Sequence, residues 1–324
     1  MIVPQYWAEG RLQHRERGRQ ITVRRFGWSD ESHAAAQASA DARAQDALDR
    51  LMAGEKLVRR EPRLAYNGTD GVPIREEIVS RHGDTIITRN GYGARCLNTP
   101  DVLFVDIDLV DKPGAASGLE YIAPLFAVAA AAWALQRRWY AVAVGIGVLF
   151  VVHVVRSILH RRQTRGGVKA EEPARARVAA FVARNPDWRF RLYKTPAGLR
   201  ALARHRTFQP EEPAVAECFS ALATDPVYAR MCLNQRCFRA RVSAKPWRIG
   251  VRDHIRPRAG AWPVAPEQQP ARSRWIEAYE HAARNHASCH YLESVGSSAE
   301  HPSARAVQVL HDELCRANSP LPSA

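Results

Sequence analysis

Residues 101–110 read DVLFVDIDLV, a nearly continuous apolar run that holds two acids. The run predicts a buried strand, and residues two apart on a strand share one face, so Asp106 and Asp108 project together. Two carboxylates buried side by side repel, which a bound divalent cation relieves. Mg²⁺ or Mn²⁺ at Asp106 and Asp108 is therefore expected, with Asp111 or Asp101 as a further ligand. The alternative is a strand ending at Ile107, with Asp108 and Asp111 as solvated loop acids.

Upstream, residues 20–26 (QITVRRF) predict a short strand. A helix of about 22 residues follows, capped by Ser29 or Asp30 and closed at Gly54. Ile78–Ser80, Thr85–Arg89 and Ala94–Leu97 predict strands separated by turn signals at Asn67-Gly68, Gly83-Asp84 and Asn90-Gly91. Downstream, residues 173–184 and 211–236 predict helices, and WRFRLYK and FRARVS predict strands. Residues 259–272 predict a linker, and RSRWIEAYEHAARNHASCHYLES and SARAVQVLHDELCRA two closing helices. The order predicts an α+β fold, a mixed or antiparallel sheet domain with flanking helices.

Two apolar stretches interrupt it: YIAPLFAVAAAAWAL at 121–135 and WYAVAVGIGVLFVVHVV at 139–155, separated by Gln-Arg-Arg. Their length and uniformity predict a two-helix transmembrane hairpin with interface aromatics at its turn. The basic flank RSILHRRQTRGGVK would then place both termini in the cytoplasm of a multi-pass inner-membrane protein. The expected division is 1–117, one half of a cytoplasmic α+β domain; 118–159, the hairpin; 160–258, the basic other half; and 259–324, a Pro-rich linker and closing helices.

The chain has 324 residues, 46% hydrophobic and 25% charged, with a formal net charge of +14. Such a composition excludes a disordered or collagen-like chain. Six cysteines are too few for a disulfide scaffold, and the opening residues lack the apolar run of a secretory signal. The charge is uneven. Residues 1–112 carry 17 basic and 17 acidic side chains, whereas residues 184–258 carry 16 basic and six acidic. In that window Arg and Lys alternate with Trp188, Phe190, Tyr193, Phe208, Phe238 and Trp247, a pattern suited to phosphate contact and base stacking. Within RLYKTPAGLR, Pro196 and Gly198 set a tight turn beside Lys194, Thr195 and Arg200. CFRARVSAKPWRIG places Arg239 and Arg241 on one strand face, followed by Lys245, Trp247 and Arg248. These basic residues are the expected phosphate or nucleic-acid contacts.

VLFVDIDL resembles the first catalytic motif of the archaeo-eukaryotic primase and primase-polymerase superfamily, a hydrophobic strand bearing Asp-x-Asp. RLYKTPAGLRAL resembles a degraded form of that superfamily's second motif, with Arg200 near the place of the usual His and His205 further along. Asp225 and Asp253 are the nearest counterparts of its third acid. The resemblance implies a metal-dependent nucleotidyltransferase, active or inactive, with Asp106 and Asp108 catalytic and a nucleotide or nucleic acid as partner. Asp106-Ile-Asp108-Leu-Val110 is also similar to the DxDx[TV] motif of haloacid-dehalogenase-type phosphohydrolases, where Lys194 or Lys245 would be the required Lys, and to the metal-binding DxD of membrane-associated glycosyltransferases. A non-enzymatic membrane protein whose Arg excess serves topology and anionic-lipid contact is the reading from another class.

Cys96 and Cys218 read as small core residues, and Cys232 and Cys237 lack zinc-knuckle spacing. His281, His286, Cys289 and His290 cluster on an expected helix without sharing one face.

Overall fold

A computed structural model describes residues 3–16, 19–61, 71–109, 167–257 and 262–324. The chain opens with a long antiparallel hairpin, β1 (Tyr6–Glu16) and β2 (Arg19–Ser29). Helix α1 (His33–Met52) follows, its N-terminus capped by Ser32, whose hydroxyl accepts from the Ala35 N–H at 3.1 Å. Ala36, Ala40, Ala44 and Ala47 recur at helical spacing and are buried. They press the helix onto the hairpin so closely that a Cβ at Gly27 would lie 2.1 Å from the Ala40 nitrogen, so glycine is required there.

Two four-stranded antiparallel sheets make the rest of the scaffold. One runs β3 (Glu77–His82), β4 (Thr85–Arg89), β5 (Arg95–Thr99) and β9 (Phe238–Arg241). The other runs β10 (His290–Gly296), β7 (Arg189–Thr195), β8 (Gly198–Ala203) and β6 (Phe104–Asp108). The chain passes straight from β5 to β6, so the sheets adjoin there. Ile87 and Leu97 of the first share one apolar core with Phe104, Val105, Leu199 and Leu202 of the second. Burying these side chains is the principal stabilising term, about 1.5–3 kcal/mol each. Helices α2 (Gly167–Arg184), α3 (Pro213–Ala221), α4 (Pro226–Gln235) and α6 (Pro302–Cys315) contribute to the same core. Helix α5 (Gln269–Ala283) packs Tyr279 beneath the first sheet, with its hydroxyl bonded to Ser243 and to the Ala244 carbonyl.

The described chain is therefore α+β with antiparallel sheets and six α-helices. The expected transmembrane hairpin, and the multi-pass inner-membrane location built on it, are corrected: among the described residues no helix is long and apolar enough to cross a membrane. The stretch itself, residues 118–159, lies outside the described residues. Three local expectations also change. β1 has no counterpart in the sequence reading. The helix expected over 211–236 is two helices, because Pro226 starts a new one capped by Asp225. The helix expected to run to residue 294 ends at Ala283, and its remainder enters β10.

Candidate functional site

Strand pairing sets a row of side chains across the second sheet. Asp106 of β6 lies opposite Arg200 of β8, Arg200 opposite Tyr193 of β7, and Tyr193 opposite Tyr291 of β10. Directly paired residues of antiparallel strands share a face. The row thus joins residues almost 200 positions apart. The Asp106 carboxylate accepts from Arg200 Nε at 2.9 Å. Arg200 is 3% exposed and its NH1 also donates to the Arg241 carbonyl at 2.9 Å and toward His311 Nε2 at 3.3 Å. Burial alone would lower the guanidinium's pKa, but Asp106 and the nearby cysteine sulfurs outweigh it and hold the group above its ordinary value. Arg200 is a permanent cation spanning both sheets.

Beside the Asp106–Arg200 pair lies a basic cluster centred on Lys245. Asp108, the last residue of β6, is exposed. Lys245 stands in the fields of Asp108, Asp106, Arg241 and Arg248. Burial, followed by the two arginines, lowers its pKa to about 8 against the opposing pull of the acids. Arg241 reaches the Tyr92 side chain. Tyr92 packs edge-on against Trp247, ring centroids 5.3 Å apart, and Lys245 Nζ lies 5.4 Å from the Trp247 ring centre. Trp247 itself is 56% exposed. Arg241 Nε and Arg248 NH1 are buried donors with no hydrogen-bond partner in the protein. Several other arginines among the described residues also carry such an N–H, but Arg241 and Arg248 lie together beside Lys245, and clustered guanidinium donors of this kind suit an anion.

No protein-family model, curated protein or solved structure matches this chain.

The structure brings Asp106, Asp108, Arg200, Arg241, Lys245 and Arg248 together and leaves four of the expected contacts elsewhere. Lys194 pairs with Leu199, the neighbour of Arg200, so strand alternation sends it to the opposite face, where it bonds Glu171 of α2 at 2.8 Å. Thr195 turns its hydroxyl to the Ala197 N–H. Gly198 serves strand closure, since a Cβ there would lie 2.0 Å from the Ile107 carbonyl oxygen. Arg239 shares a strand face with Arg241 but is held by Glu76 at 2.5 Å. Of the candidates for a third acid, Asp225 donates its N–H to the Asp106 carbonyl at 3.3 Å and its side chain caps α4. The Asp253 carbonyl accepts from Trp275. Asp101 accepts from Thr99, and Asp111 lies outside the described residues.

The donor set fits Mg²⁺ or Mn²⁺ on one condition. Two carboxylates face four basic side chains, and one Asp106 oxygen is engaged by Arg200. The local formal charge opposes a bare cation. A cation arriving with phosphate does not meet that opposition, because the phosphates neutralise the arginines while Asp106 and Asp108 supply hard oxygen ligands. The same Arg200 contact makes Asp106 a poor nucleophile, which weakens the phosphohydrolase resemblance.

Behind Arg200 is a second group that the sequence reading missed. His311 and Cys315, one turn apart on α6, meet Cys289 from the segment entering β10. The three are buried and their ligand atoms lie within 4.8 Å of one another. Burial raises the Cys315 thiol's pKa, but the Cys289 hydrogen bond, His311 and Arg200 outweigh it and hold the pKa well below the ordinary value. The hydrogen bond to Cys315 and then burial push Cys289 up. Asp312 lies 3.4 Å from His311 Nδ1 and is itself fixed by Tyr193 Oη at 2.6 Å, Arg191 at 2.8 Å and Gln308 at 2.6 Å. The i, i+4 spacing of His311 and Cys315 was visible in the sequence, but their partner Cys289 was assigned to a helix that is not there.

Proposed function

We propose that the chain binds the phosphates of a nucleoside triphosphate at the basic cluster, as a divergent primase-polymerase-like module. The reading rests on one observation: an Asp-x-Asp pair, an exposed tryptophan and two buried guanidinium N–H groups without a protein partner cluster around Lys245. Arg241, Arg248 and Lys245 contact phosphate, Trp247 offers a stacking surface to the base, and Arg200 positions Asp106. Mg²⁺ or Mn²⁺, when bound with the nucleotide at Asp106 and Asp108, would neutralise phosphate charge and polarise the phosphoryl group.

Isothermal titration of the full chain with ATP, with and without Mn²⁺, tests this. Binding should weaken on the order of 100-fold in the Arg241→Ala/Arg248→Ala double variant, at about 1.4 kcal/mol for each charge-assisted hydrogen bond. No binding of ATP by the unmodified chain would refute the proposal. Salt-sensitive binding of single-stranded DNA without ATP binding would replace it with a nucleic-acid module. Mn²⁺-dependent nucleotide incorporation that is lost in Asp106→Asn with Asp108→Asn would raise the module to an enzyme.

A further inference from the structure

We infer that Cys289, His311 and Cys315 form a binding site for a thiophilic metal ion of the zinc class. Two thiols and an imidazole are the donor types that such ions select, and three of them converge here in a space set by backbone rather than by chance side-chain collapse. His311 and Cys315 lie at i and i+4 of α6, with His311 Nε2 and Cys315 Sγ 3.4 Å apart. Cys289 is fixed beside them by a ladder of main-chain bonds: Ser288 N–H to the Cys315 carbonyl at 3.0 Å, Tyr291 N–H to the Ala317 carbonyl at 2.9 Å, and the pairing of Ala287 with the final residues of the chain.

The surroundings match what a metal-ligating histidine needs. Asp312 faces His311 Nδ1, leaving Nε2 toward the two sulfurs, and Tyr193 and Arg191 of β7 with Gln308 of α6 fix the Asp312 carboxylate. This is the carboxylate–histidine arrangement that orients a ligand. Charge also balances. Two thiolates neutralise a divalent ion, and Arg200 is balanced by Asp106, so loading the site leaves no net charge in the core. Arg200 NH1 would give up His311 Nε2 to the metal and keep the Arg241 carbonyl. The proposal stands apart from nucleotide binding, yet the ion would sit directly behind the residue that positions Asp106.

The test is the metal content of the full chain produced in zinc-supplemented medium, with Co²⁺ substitution as an optical probe. About one equivalent of zinc and a thiolate-to-cobalt charge-transfer band are expected. Cys289→Ser and Cys315→Ser should each lose the metal, whereas His311→Cys, which keeps three soft ligands, should retain it. Absence of zinc and of the cobalt band in the unmodified chain would overturn the site, whether mass spectrometry then finds two free thiols or a Cys289–Cys315 disulfide. Full zinc retention in both serine variants would overturn it as well.

Discussion

Arg200 separates two regions built on opposite principles. Behind it, in the described structure, His311 is packed against Cys315, Asp312 and Arg200, and Asp312 accepts from three further side chains. In front of it, Arg241 and Arg248 each keep a buried N–H without a protein partner, and Trp247 is left half in solvent. A satisfied buried network rigidifies, and an unsatisfied one costs stability that an incoming partner can restore. The difference teaches that basic residues close in space, and alike in a composition count, do different work. Arg200 and Arg239 hold the fold, and Arg241 and Arg248 each keep an N–H that the fold does not use.

The largest effect should separate those two kinds of arginine. Arg200→Ala leaves Asp106 and His311 without their buried partner and should lower the unfolding free energy by about 3–5 kcal/mol. Arg248→Ala should cost under about 1 kcal/mol, and comparable urea midpoints for the two variants would break the contrast. Gly198→Ala should come next. Its Cβ collides with the Ile107 carbonyl and must push β6 off β8, at about 1–3 kcal/mol in the same measurement. At the basic cluster, Arg241→Ala or Arg248→Ala alone should weaken ATP binding about tenfold with the chevron or melting profile almost unchanged. The smallest effect is a pH dependence. Lys245 is protonated below its pKa of about 8 and neutral above it, so ATP affinity should fall as pH rises from 7 to 9. Lys245→Arg, charged throughout, should flatten that profile in titrations across the range.

Much of this was legible in the chain. Alternation in Thr85–Arg89 and the apolar run ending in Asp106 and Asp108 announce strands, and the alanine-rich segment after Ser32 announces a helix. Two motifs either side of a long insertion were expected to converge, with Arg200 on phosphate; Asp106 and Arg200 do meet, but Arg200 is buried against Asp106. What escaped depends on register and on distant partners. Lys194 and Arg200 look equivalent in RLYKTPAGLR, and only the pairing of Lys194 with Leu199 sends them to opposite faces. Residues 290–294 looked helical because the helical pattern before them carries on in polar residues, while their pairing with β7 is set by tertiary contacts. Cys289 meets His311 and Cys315 through the main-chain bonds of residues 287–291 to the segment after α6, which no local pattern announces. The membrane reading rested on local hydropathy in a stretch outside the described residues.

On the proposed function, the basic cluster takes phosphate, and a metal only along with it. Electron paramagnetic resonance of free Mn²⁺, titrated with the full chain in the absence and then the presence of ATP, addresses this directly. The free Mn²⁺ signal should fall only when ATP is present, by more than ATP alone removes, and Arg241→Ala/Arg248→Ala should abolish the extra loss. Tight Mn²⁺ binding without ATP, lost in Asp106→Asn/Asp108→Asn, would contradict it.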